Sequence, residues 1–370
     1  MSPVARSLLL TVALATSSVV AQYASSPLAF KSFTYTDLPE QAQPTAGIRG
    51  PQAGYNICNS TTQNQESMCQ TAILNSIDDF CIWAPPQPNS TIADTEGIEV
   101  AYCTKNGRGT RLIPQGTLWG VSVLNTPQYV MILALLNQAN VNMQASDYGG
   151  ELDPHGADGN GNPIGGLVFS THSFAGASDN TTLGQLTEWT SFIGGNQVCF
   201  KGCNPADVGG WNTGLCNNIY DEIGIAYNCP GTVTNGTFMV CDADPMSPVG
   251  IYTSNGVTMT YSQPASGVIT SMPYTPTVPA TSNCVTYKST DLYTDLASVT
   301  ASSQSTTSGG SATSTPTSHS GSSGSSSASR SGSSGAAAAT GASGTNGASA
   351  MHVSLVATLA GVVAAVAFLS

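Results

Sequence analysis

Between Asp147 and Gly166 the chain reads DYGGELDPHGADGNGNPIGG, which sets four carboxylates, one histidine and several glycines within twenty positions. Acids at this density could do two kinds of chemistry. Asp158, Asn160 and Asn162 alternate as the oxygen ligands of a calcium loop do. Glu151 and Asp153 would share one face of an extended segment, as an acid and a base for glycoside hydrolysis, with Asp158 as the other partner for Glu151. A third reading is structural. Gly149-Gly150, Asp153-Pro154 and Asn160-Gly161-Asn162-Pro163 are turn signals, and Asp and Asn side chains satisfy nearby backbone amides in such turns.

The turn reading accounts for most of the spacing, so no residue is assigned a catalytic role. A cation site would draw on Asp147, Glu151, Asp153, Asp158, Asn160 and Asn162, with calcium as its ion. An EF-hand is not matched, because Pro163 stands where that loop needs Gly and Phe169 where it needs a bidentate Glu. No Lys or Arg lies between Arg111 and Lys201, whereas Asp147, Glu151, Asp153, Asp158, Asp179 and Glu188 do. Such a cluster raises its own pKa values unless a cation from elsewhere compensates. Other chemistry is poorly supplied. Residues 22–284 hold no Gly-x-Ser-x-Gly and only two histidines, His155 and His172, too few for a three-His zinc site. No cofactor is expected beyond a calcium ion.

The elements that must hold these residues follow from the rest of the chain. Residues 1–21 read as a signal peptide, with Arg6 before an apolar stretch and Val19-Val20-Ala21 as a cleavage site. Residues 285–350 read as a disordered stalk rich in Ser, Thr and Gly, dense enough in hydroxyls for O-glycosylation. Residues 351–370 form an apolar tail with no basic residue after it, the pattern of a glycosylphosphatidylinositol (GPI) anchor signal, with attachment at Gly341 or Asn346. Between them lies a secreted domain, 22–284, with six Lys or Arg against nineteen Asp or Glu. That balance repels phosphate backbones and argues against nucleic acid as a partner.

All ten cysteines, Cys58, Cys69, Cys81, Cys103, Cys199, Cys203, Cys216, Cys229, Cys241 and Cys284, fall inside this domain. Behind a signal peptide they imply disulfides, paired within two clusters, 58–103 and 199–284. Sequons at Asn59, Asn89, Asn180 and Asn235 mark surface segments open to N-glycosylation. Periodicity predicts a short amphipathic helix over 64–83 and another over 216–227. Strands are expected at IEVAYC, YVMILALL, VNMQ, LVFSTH, QVCFKGC, TFMVC, VGIYT and VTMTY, the last two joined by the Asn255-Gly256 hairpin signal. The fold class is therefore mostly β, in a sandwich or jelly-roll style, with one or two short helices stapled on by disulfides.

The segments ELDPHGADGNGNPIGGLVFS, then Trp189 before FIGGNQVCFKGCNP, then CNNIYDEIGIAYN and PVGIYTSNGVTMTYSQP resemble secreted fungal macrophage-activating glycoproteins over about 54–265. Where that family has a cysteine near position 225, this chain has Ile225 and places Cys229 instead. The resemblance implies a secreted or wall-associated glycoprotein and carries over no catalytic residue. The expected function is a GPI-anchored, extracellular surface or cell-wall glycoprotein without catalysis, in a structural, adhesive or immune-exposed role. Its partners would be wall polysaccharide or a host receptor, with the membrane reached through the lipid. The alternatives are the Glu151 hydrolase and a calcium- or carbohydrate-binding module.

Overall fold

A computed structural model describes residues 26–207, 214–265 and 267–301. The expected signal peptide, most of the expected stalk, the apolar tail and both candidate anchor positions lie outside the described residues. In chain order the strands are β1 (Thr71–Ser76), β2 (Asp79–Ala84), β3 (Val100–Cys103), β4 (Arg111–Leu112), β5 (Leu118–Asn125), β6 (Tyr129–Leu136), β7 (Gly150–Leu152) and β8 (Leu167–Ser170). They continue with β9 (Gly184–Leu186), β10 (Trp189–Gly194), β11 (Gln197–Cys203), β12 (Phe238–Ala243), β13 (Ile251–Ser254), β14 (Val257–Thr260) and β15 (Thr281–Tyr287). Three one-turn helices accompany them: α1 (Ile92–Thr95), α2 (Ile225–Asn228) and α3 (Ser289–Leu292). No helix among the described residues is long and apolar enough to cross a membrane.

The strands form a six-stranded sheet in the order β4-β3-β2-β1-β8-β9, a seven-stranded sheet in the order β15-β12-β5-β6-β11-β10-β7, and the separate hairpin β13-β14. Three pairings are parallel, β1 with β8, β3 with β4 and β5 with β12. The mixed pairing departs from an antiparallel jelly roll and keeps the layered, sandwich-style half of the expectation. The two sheets share one core, in which Trp83 of β2 and Trp189 of β10 meet with ring centroids 5.9 Å apart and Phe200 of β11 packs edge-on to Trp189.

Strand β6 shows how the sequence builds the larger sheet. Val130, Ile132, Ala134 and Leu136 enter the shared core, while Tyr129, Met131 and Leu133 enter a second core on the opposite face. Alternate side chains of a strand point to opposite faces, so a run without polar positions requires cover on both sides. The second cover is the irregular chain carrying Leu215, Tyr220, Met246 and Val249. Cys199–Cys229 and Cys203–Cys216 fasten that chain to β11. The remaining bridges are Cys58–Cys69, Cys81–Cys103 and Cys241–Cys284, all within the two expected clusters.

Four sequence expectations are corrected. The helix over 64–83 is replaced by the antiparallel β1–β2 hairpin. Cys69, Ile73, Ile77 and Phe80 are buried at helical spacing, but so are Ala72, Leu74, Cys81, Ile82 and Trp83. When nearly every position is buried a helical period is met by default, and short length with Ile, Phe and Trp favours strand. VNMQ is not a strand but the end of a 3-10 turn with one bridge, Ser90 to Met143. The helix over 216–227 shrinks to a 3-10 turn at Asp221–Ile223 followed by α2, interrupted at Gly224, whose φ is 74°. The packed chain also continues past Cys284. Leu296 is buried in the shared core, and the Tyr293 hydroxyl donates to the Ile77 carbonyl at 3.0 Å.

One cation lies in the second core. Lys201 of β11 is fully buried, and its Nζ donates to the Asn228 carbonyl at 2.5 Å and lies 3.5 Å from the Met246 sulfur. Burial holds this amine down from 10.5 to about 7. The folded protein thus holds that proton less tightly than the unfolded chain, and stability rises as pH climbs from about 7 toward 10.5. Lys201→Met is expected to abolish this rise in urea unfolding compared at about pH 7 and pH 9; an unchanged slope would contradict the buried amine. Trp83→Ala is expected to cost about 3–5 kcal/mol in the same assay. Val257→Ala, on the exposed hairpin, should stay within about 0.5 kcal/mol.

Candidate functional site

The acidic stretch borders a cleft of about 1010 Å³ at the β7 edge of the larger sheet, between α1, the chain entering β7 and the turns around α2. The backbone crowds at its wall. A Cβ on Gly149 (φ +81°) would come within 1.6 Å of the Ile193 carbonyl, and one on Gly194 within 2.1 Å of the Tyr148 carbonyl. Only glycine allows the two segments to cross there. Ile92, Phe192, Ile223 and Ile225 give the cleft apolar walls; Glu96, Glu151, Asp153, Asp221 and Glu222 give it carboxylates.

The six residues of the cation reading go to different partners. Asp147 accepts from the amide of Ile92 at 2.8 Å and from that of Gly149 at 3.0 Å, tying α1 to the loop. Glu151, 7% exposed on β7, accepts from the Thr190 hydroxyl at 2.6 Å. Asp153, 5% exposed, accepts from the amides of His155 (2.6 Å) and Gly156 (2.8 Å) and from the side chain of Asn218 at 3.4 Å. Asp158 pairs with Arg49 at 2.6 Å, and the same guanidinium donates to the Asn162 side chain and to the Gly161 carbonyl. Asn160 donates its amide to Asp158 at 3.1 Å and its carbonyl receives the Gly165 amide. Among the described residues no group of three or more His, Cys, Asp or Glu side chains could hold a metal ion.

Arg49 is the compensating cation that the interval 112–200 lacks. Burial pushes Asp158 upward, but the Arg49 guanidinium and the Asn160 donors outweigh it and hold the carboxyl below its usual range. Glu151 and Asp153 are the opposite case. Burial, and then the neighbouring Asp153 charge, push Glu151 well above the usual carboxylate range. Burial also raises Asp153, against the amides of Gly156 and His155. Glycoside hydrolysis needs one carboxyl protonated and its partner ionised, which requires environments that push the two pKa values apart. Here Glu151 and Asp153 move the same way, and Asp158, the ionised one, is committed to Arg49 and does not line the cleft.

The two histidines have packing partners. His155 Nε2 lies 3.2 Å from Glu188, and His172, whose pKa burial lowers, stacks on Phe174 and contacts the Asn75 carbonyl at 3.1 Å. The four sequon asparagines, Asn59, Asn89, Asn180 and Asn235, are all exposed and all lie in loops.

Two outcomes are expected of this arrangement. Arg49→Ala leaves Asp158 uncompensated and should cost about 3 kcal/mol, whereas adding Asp158→Asn recovers part of the loss in a double-mutant cycle. Glu151 holds its proton more tightly folded than unfolded, so its contribution is present below about pH 4.5 and is lost as pH rises. Glu151→Gln should flatten the decline in unfolding free energy above that pH; a decline of unchanged steepness would contradict a protonated Glu151.

No protein-family profile and no solved structure matches the chain. Two fungal proteins do. Appressorium protein ROW2 of Mycosarcoma maydis is 40% identical over 211 residues, 56% of this chain and 70% of that protein. Appressorium protein ROW1 of the same fungus is 38% identical over 233 residues, 60% of this chain and 53% of that protein, so the chain spans about half of ROW1. Neither name carries the macrophage-activating label, and that resemblance rests on its motifs alone. At 40% identity across 70% of ROW2, the chain belongs to the family of these fungal appressorium proteins.

Proposed function

We propose that this protein is a secreted, GPI-anchored glycoprotein that displays a non-catalytic β domain at the fungal cell surface or wall. The observation that carries this reading is the placement of the sequons: all four asparagines stand exposed in loops of a domain closed by five disulfides. Disulfides persist in the oxidising extracellular space, and exposed loops accept glycans without disturbing a core. Glu151 and Asp153 favour the same reading, since both are held toward the neutral form and engaged by Thr190 and by loop amides. The Ser/Thr-rich segment would act as a stalk, and the terminal apolar residues would be exchanged for the lipid at Gly341 or Asn346. The relatives' name suggests display on an appressorium, where the domain would meet wall polysaccharide or a host surface. A host response to its glycans would also accord with the macrophage-activating resemblance.

Removal of N-glycans should lower the apparent mass in discrete steps, each lost in the matching Asn→Gln variant. Phosphatidylinositol-specific phospholipase should release the protein from intact cells, or digestion of wall glucan should do so if the anchor has been transferred. Retention after both treatments, or a mass insensitive to deglycosylation, would reject the reading.

A further inference from the structure

A second groove lies away from the acidic cleft and has opposite chemistry. It occupies about 490 Å³ between the β13–β14 hairpin and the chain at 273–277, and no charged side chain lines it. Its framework is a set of three tyrosines. Tyr274 lies parallel to Tyr252, with centroids 4.7 Å apart and planes 3° apart, and Tyr227 meets Tyr274 edge-on at 5.3 Å. Tyr274 is fixed as the middle plate, because its hydroxyl accepts the Gly250 amide at 3.2 Å and its carbonyl accepts the Tyr227 hydroxyl at 3.1 Å. Tyr252 is half-buried, contacts that plate on one side, and its hydroxyl makes no hydrogen bond to another described residue.

The polar lining is equally uncommitted. Ser247, Thr253, Ser254, Thr258 and Thr275 all border the groove, and none uses its side chain in a hydrogen bond to another described residue. We infer that this groove binds a neutral oligosaccharide of hexopyranose units. A pyranose has one face of C–H groups that packs on a flat aromatic ring and a rim of hydroxyls that pair with hydroxyl side chains. Tyr252, backed by the fixed Tyr274 ring and bordered by these Ser and Thr hydroxyls, meets both requirements with no charge to desolvate. A proline-rich peptide could also stack on tyrosine, but it offers carbonyl acceptors alone and leaves half of the hydroxyl capacity unused. The inference concerns a face separate from the acidic cleft and does not depend on a lipid anchor or on glycans carried by the chain.

The test is calorimetric titration of the purified full chain with laminarihexaose, cellohexaose, mannohexaose and chitohexaose, and with a polyproline peptide. At least one saccharide should bind and the peptide should not. Tyr252→Ala should weaken binding by about tenfold or more, equivalent to about 1.4 kcal/mol. Tyr252→Phe, which keeps the stacking face, should retain most of it. Thr258→Val, a substitution of similar shape, should weaken binding with the melting temperature unchanged, which separates lost contacts from lost folding. Glu151→Gln should leave the titration unaltered. Absence of binding to every saccharide, equal binding by Tyr252→Ala and the parent, or binding of the peptide in place of the saccharides would each overturn the inference.

Discussion

The larger sheet is covered on both faces at its centre, while its edge strand β15 is exposed along its length. Its centre, β6 against β11, presents Val130, Ile132, Val198 and Phe200 to the partner sheet and Tyr129, Met131, Leu133 and Cys199 to the other side. A second sheet covers the first set. Chain with little regular structure covers the second, and such chain loses much conformational entropy when it is pinned. Two disulfides from β11, Cys199–Cys229 and Cys203–Cys216, limit that loss by shortening the loops that must close. Lys201 lies between those two cysteines on the same face of the strand, which is why an amine is caught in a core at all.

The acidic cleft follows from the same arrangement. β7 is the last strand of the covered sheet, and Glu151 projects from it beneath the turns around α2. Burial there is a consequence of the cover, and it moves both Glu151 and Asp153 toward the neutral form. Farther along the loop, Arg49 gathers Asp158, Asn162 and the Gly161 carbonyl around one guanidinium. The result is a glycine-rich loop whose acids are each engaged by a structural donor.

How much of this could be seen in the sequence depended on the range of the interaction. β6 was legible because a continuous apolar run has to be buried on both sides. The β13–β14 turn was legible because Asn255 (φ 50°) and Gly256 (φ 78°) have the backbone that an Asn-Gly hairpin demands. The turn character of 147–166 was visible for the same local reason. β10 was missed because its inward positions include Thr190 and Ser191, and β5 because Gly120 interrupts it. That glycine is required by the Thr234 carbonyl, to which a Cβ would come within 2.3 Å. Arg49 could not be assigned to Asp158 from spacing, since 109 residues separate them. The tyrosine groove was hidden likewise, its three rings being drawn from α2, β13 and the chain beyond β14.

Glu151 and Asp153 serve the fold and share one protonation tendency. Side-chain carboxyl carbon shifts of Glu151 and Asp153, followed by NMR through a pH titration of the isotope-labelled protein, test it most directly. Both carboxyls should titrate above their ordinary ranges, with Glu151 displaced well beyond its usual value. An Asp153 that stays ionised well below its ordinary range while Glu151 holds its proton would restore the split environment of an acid and a base, and would contradict their shared structural role.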